Sequence, residues 1–176
     1  MNSKKPEVWL RGEIKGVPAL LQPAAHALLQ SSEELEKYLQ DFPEELLWKK
    51  PAGRASVGFH LQHLTGVLDR MLTYAQAENL SKNQFHYLKN EEKPDEKLSV
   101  GILIQNFQKK VNEAIAFLKN TPENILTKYR PVGRKELPST VIGLLFHAAE
   151  HSQRHVGQLL ITVSVLKERI TNKLGE

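Results

Sequence analysis

From Val141 to Leu166 the apolar residues return every three or four positions: Val141, Leu144, Leu145, Ala148, Leu159, Val163 and Leu166, with Thr162 among them. That spacing draws one face of an α-helix and does not fit the two-residue alternation of a half-buried strand. A stripe this long must be buried against other elements, so it restricts the fold more than any other stretch. The same stretch holds His147, His151 and His155 at four-residue steps. Residues four apart on a helix stack one turn above the other, about 6 Å along the axis. Two imidazoles in that relation can close on one metal ion.

Three further stripes precede it. Leu21, Ala24, Ala25, Leu28, Leu35 and Leu39 predict a helix that opens near Pro18, or later because of Pro23, and stops at Pro43. Ser56 is a good N-cap for a second helix marked by Val57, Leu61, Leu64, Leu68, Met71 and Ala75. Ser99 caps a third, with Ile102, Leu103, Phe107, Val111, Ile115 and Leu118 as its buried side, ended by Thr121-Pro122. Ser139 or Thr140 caps the fourth. Long connections, 80–98 and 121–138, separate helices two from three and three from four. The second admits one short extended piece at Tyr129 to Val132. Residues 1–17 read as an irregular arm anchored by Trp9 and Leu10, and 167–176 as a frayed charged tail. The expectation is one all-α domain over 1–176, a four-helix bundle. Bundles of this kind build metal sites from facing side chains in their cores.

The chain contains no cysteine. Thiolate zinc, iron–sulfur clusters, disulfides and cysteine nucleophiles are therefore excluded, and any metal must be held by nitrogen and oxygen. The net charge of +4 is scattered, with Lys-Lys pairs at 4–5, 49–50 and 109–110 and no basic run, which argues against nucleic acid as a partner. No apolar run reaches the ~18 residues of a membrane span, and the N-terminus lacks a signal peptide's apolar stretch. A cytoplasmic protein with no membrane partner is expected.

At about 100° per residue, His151 and His155 fall within or at the edge of the stripe, while His147 is rotated further out. Buried imidazoles need partners for their ring nitrogens, and a metal would satisfy two at once. On helix two, His60 lies nearer the core centre and His63 toward a flank. A flank position suits a site shared between helices, so the helical wheel leaves the two tied. His147 to His151 also fits H-x-x-E-H, with Glu150 in the place of a peptidase base. That motif needs a distant downstream glutamate as third ligand, and only Glu168 and Glu176 follow.

Ser56 to Leu64 (SVGFHLQHL) and His151 to Gln158 (HSQRHVGQ, of the form H-x-x-x-H-x-G-Q) resemble the DinB/YfiT-like superfamily of four-helix-bundle metalloproteins. The resemblance covers most of the chain. It implies that one histidine of helix two and two of helix four bind a divalent metal, which by position are His63, His151 and His155. Where that family often has an acidic residue after the first histidine of helix four, this chain has Ser152. The resemblance further implies a metal-dependent enzyme, either a thiol S-transferase using a low-molecular-weight thiol or a hydrolase acting on a small-molecule substrate. His60, Glu150 and Gln158 are then candidates for catalytic or supporting roles. Zinc leads the candidate metals, ahead of nickel, iron and manganese, since imidazole suits all four. The competing expectation is a non-catalytic, metal-stabilised bundle serving in binding or stress response. A homodimer is compatible with an apolar surface on the first or third helix.

Overall fold

A computed structural model describes the backbone of residues 5–174 and the side chains as far as residue 168. The described residues form five α-helices and one β-hairpin: α1 (Gln22–Tyr38), α2 (Val57–Ala75), α3 (Lys82–Asn90), α4 (Val100–Lys119), β1 (Tyr129–Val132), β2 (Leu137–Thr140) and α5 (Val141–Leu174). Four of the helices, α1, α2, α4 and α5, make the bundle. α5 packs on α2 and α1, and α4 closes the opposite side against the same two. Leu144, Leu145, Ala148, Leu159, Val163 and Leu166 are all buried, so the long stripe lies along the core.

Local chemistry sets the helix ends. Pro23 occupies the first turn of α1, where its missing N–H costs nothing. That helix stops at Tyr38 rather than running to Phe42, and Asp41 then takes a left-handed backbone, φ 54°. The Ser56 hydroxyl accepts from Phe59 N at the start of α2, and Ser99 does the same for Ile102 N at α4. Of the two candidate caps for α5, Thr140 takes the role: its Oγ1 accepts from Gly143 N at 3.1 Å. Trp48 packs down on the first turn of α2. A Cβ added at Gly58 would meet its indole ring at 2.6 Å, so a glycine is what permits that approach.

Three expectations need correction. The arm is not anchored by Trp9 and Leu10, which are 61% and 56% exposed. It is held by buried Val8, by Arg11 paired with Glu33, and by Gln22, whose amide bonds Ile14 in both directions. Ile102 faces out at the rim of α4, and Ala114 joins the buried side instead. The 80–98 connection contains a helix of its own, α3, opened by a capping box between Ser81 and Gln84. The piece at Tyr129–Val132 is a strand paired antiparallel with Leu137–Thr140. This hairpin caps α2, because Arg130 Nε donates to the Ala75 carbonyl at 2.8 Å. Of the tail 167–176 expected to fray, the backbone continues α5 as helix to Leu174, and residues 175–176 lie outside the described residues.

Candidate metal centre

The site forms where α2 meets α5. His63 on α2 and His151 on α5 approach with Nε2 to Nε2 at 3.0 Å. The ring of His155, one turn along α5, lies 4.6 Å from that of His63 and 4.5 Å from that of His151, centroid to centroid. One nitrogen from each of His63, His151 and His155 falls within 4.8 Å of the others. Phe59 stacks on His63 at 5.1 Å and closes one side. These are the three histidines that the resemblance singles out. Periodicity alone left His60 and His63 tied, and the structure brings His63 to the α5 pair.

His60 lies deeper, 3% exposed, with its Nδ1 3.0 Å from His155 Nδ1. Glu150 sits at the rim, bound by Arg154 at 2.5 Å and by His147 at 2.8 Å. One ligand atom from each of His147, Glu150 and His151 also lies within 4.8 Å of the others, since residues three and four apart are neighbours on a helix surface. Gln158 stands on the exposed side of α5 beyond His155. A groove of about 1100 Å³ between the arm, α1 and the start of α4 is lined by no histidine, so it has no part in the cluster.

Sequence reasoning missed what stands behind His63. Its Nδ1 is 2.7 Å from Glu91 Oε2, and Glu91 Oε1 accepts from Arg70 Nη1 at 2.5 Å. Both charged side chains are almost fully buried. Glu91 ends α3, in a stretch whose composition reads as solvated loop. The available signal was Arg70, a charge two turns from His63, with Gly66 between them on α2.

The electrostatics hold His60, His151 and His155 below the ordinary histidine range. Burial, then the neighbouring His63, pushes His60 down to about 4. Burial, followed by His63 and other nearby positive groups, takes His151 to about 4 and His155 to about 3. Uncharged imidazoles carry lone pairs, which is the form that ligates metal. For Glu150, burial acts to raise the carboxyl, but hydrogen bonds from Arg154 and His147 hold it below the usual range.

The fit to a metal can be judged from bonding capacity. A carboxylate accepts only, so the Glu91 contact places the His63 proton on Nδ1 and its lone pair on Nε2, toward His151. His151 turns its Nε2 to that lone pair, while its Nδ1 is buried with no hydrogen-bond partner with or without an ion at Nε2, so the fit rests on the facing nitrogens. Two ligands each about 2.1 Å from one ion stand about 3.0 Å apart at a right angle and about 3.4 Å apart at the tetrahedral angle, so the 3.0 Å between the facing nitrogens lies at the short end of that range. The donor set fits a divalent cation.

The sequence profile of the DinB superfamily matches residues 27–159. The chain belongs to the DinB superfamily. Among solved structures, this DinB chain is similar to a conserved protein of Enterococcus faecalis, with TM-score 0.62, 18% identity, and 81% of this chain and 94% of that one covered. It is also similar to a Streptococcus pneumoniae protein, with TM-score 0.61, 14% identity, and 84% and 90% covered. A DinB-like protein from Bacillus cereus matches with TM-score 0.57 and 17% identity over 80% and 91%. At these identities the likeness is one of fold. No curated protein matches the chain. Among the described residues, no helix is long and apolar enough to cross a membrane.

Proposed function

We propose that this DinB protein is a divalent-metal-dependent enzyme whose ligands are His63, His151 and His155, acting as a thiol S-transferase or a hydrolase on a small molecule. One observation carries the reading. Three imidazoles from two helices converge, and the outer nitrogens of two of them are already bonded, His63 Nδ1 to Glu91 and His155 Nδ1 to His60. Facing a carboxylate, His63 Nδ1 donates and its Nε2 keeps a free lone pair; His155 offers its Nε2 lone pair in the tautomer whose Nδ1 donates to His60. Three protein ligands leave coordination open, as in catalytic zinc sites. A bound ion would supply Lewis acidity to a thiol, a water or a substrate oxygen.

The chain's own residues supply the rest. His60, neutral and in contact with His155, is suited to hold or relay a proton at its remaining nitrogen. Glu150, kept ionised, positions Arg154 and His147 at the rim, where the Arg154 guanidinium suits an anionic thiol or carboxylate. Gln158 stands further out as a polar contact for a bound substrate. In transfer, the thiol loses its proton and its sulfur bonds to an electrophilic carbon, while the leaving group departs with a proton. In hydrolysis, water replaces the thiol.

The test is an S-transfer assay with several low-molecular-weight thiols, paired with ester and amide hydrolysis assays, on tag-free protein. Activity abolished by chelation and restored by Zn2+, Ni2+, Fe2+ or Mn2+ supports the reading. Tight metal binding with no turnover in any assay, and no exchangeable ligand on the ion, favours a metal-stabilised binding bundle instead.

A further inference from the structure

The Glu91 carboxylate reaches His63 from a helix that the histidines themselves do not belong to: it stands at the end of α3. None of the nine residues of α3 is buried. A helix without a buried face gains little from apolar packing, so its position depends on other contacts. Those contacts are polar and run to α2. Gln84 Nε2 reaches Asp69 Oδ2 and Thr73 Oγ1, both at 2.7 Å, and Tyr87 Oη donates to the Gln62 carbonyl at 3.1 Å. At the end of α3, Gln62 Nε2 donates to the Glu91 carbonyl oxygen at 3.1 Å. Backbone and side chain of Glu91 are thus both tied to α2.

The space for Glu91 is made by Gly66. A Cβ there would collide with Glu91 Oε1 and would meet Arg70 Nη1 at 2.7 Å and the Tyr87 ring at 2.8 Å. In an ordinary helix interior alanine is preferred to glycine, so the glycine marks a place that must stay open. A structural ion pair between Arg70 and Glu91 needs no third group. Glu91 instead divides its oxygens, Oε1 to Arg70 and Oε2 to His63 Nδ1. The arginine offsets the cost of burying the carboxylate, and the carboxylate fixes the ring.

We propose that Glu91 is the positioning residue of the metal centre, setting the tautomer and orientation of His63, and that docking of α3 and binding of the metal are therefore coupled. This rests on the three-histidine reading. Without an acceptor at Nδ1, the single proton of neutral His63 can occupy Nε2 and block ligation. Linkage makes the coupling reciprocal: whatever factor docked Glu91 adds to metal affinity, the metal adds to the docking of α3.

The test titrates Zn2+ into tag-free wild-type, Glu91→Gln and Gly66→Ala proteins against a chromophoric chelator, and follows amide exchange in α3 with and without Zn2+. Outer partners of ligating histidines contribute about tenfold to a hundredfold in metal affinity, and each variant is expected to lose that much. Gly66→Ala displaces Glu91 while leaving every charge in place. If Glu91→Gln fails to fold with Arg70 unpaired, Arg70→Gln/Glu91→Gln removes the stranded charge and is expected to show the same loss. In wild type, Zn2+ is expected to slow exchange throughout α3, and in Glu91→Gln to leave it unchanged. Folded variants that bind Zn2+ within twofold of wild type overturn the inference while leaving the three-histidine centre intact. Wild-type protein that binds none of Zn2+, Ni2+, Fe2+ and Mn2+ overturns both.

Discussion

His60 and His63 sit three residues apart on α2, and each meets a histidine of α5 at 3.0 Å. What stands behind each ring differs. His63 is backed by a buried carboxylate, itself held by a buried arginine. His60 is buried beside Phe59 and His155 with no charged partner. A carboxylate at Nδ1 sets a tautomer and presents a lone pair, whereas a second imidazole can donate or accept. The comparison teaches that a histidine's place on a helical wheel says less about its role than the group bonded to its far nitrogen.

The sharpest way to break this comparison is to delete each ring in turn. His63→Ala is expected to lower Zn2+ affinity well beyond the roughly hundredfold upper end for outer partners, and His60→Ala by only about tenfold. A chelator-competition titration reads both, and equal losses would erase the distinction. Acid provides the next largest effect. Folded His60 and His151 titrate near 4 and His155 near 3, below the 6.5 of the unfolded chain. Between those values the unfolded chain binds more protons, so the stability of metal-free protein is full above 6.5 and declines as pH falls through 4 and 3. Urea midpoints measured from pH 7 to 3 should follow that course, and a midpoint flat between pH 6.5 and 4 would contradict it.

Smaller effects sharpen the picture. Gly58→Ala drives a methyl into Trp48 at the turn that carries His60, and is expected to cost about 1–3 kcal/mol in urea unfolding. Its effect on Zn2+ affinity should stay below that of His60→Ala, because His63 is secured separately by Glu91. His147→Ala should do least. Its side chain is 45% exposed, and the change is expected to lie within about 0.5 kcal/mol in stability with Zn2+ affinity unaltered. A tenfold loss there would return the H-x-x-E-H segment to contention.

How much could be read in advance follows from burial chemistry. The bundle is legible because Leu144, Leu145, Ala148, Leu159 and Val163 can be buried only along one helical face. Ser56 and Ser99 are legible as caps for the same local reason. α3 is not, since Lys82 to Asn90 buries no residue and so writes no stripe. Glu91 looks like one of several glutamates in a polar connection, and only the fold reveals it as buried at 3% exposure. Trp9 and Leu10 mislead because size and apolarity suggest anchoring, while the arm is held by smaller Val8 and by hydrogen bonds. The histidines of α5 are legible as a pair from their spacing. The difference between His60 and His63 is not, because it lies in a carboxylate 28 residues beyond His63.

The central claim, that His63, His151 and His155 hold one divalent ion, is tested most directly by metal analysis of protein purified without a histidine tag. About one equivalent of divalent metal in wild type, and none in folded His151→Ala/His155→Ala protein, is the predicted result. Full occupancy in that double variant would contradict it.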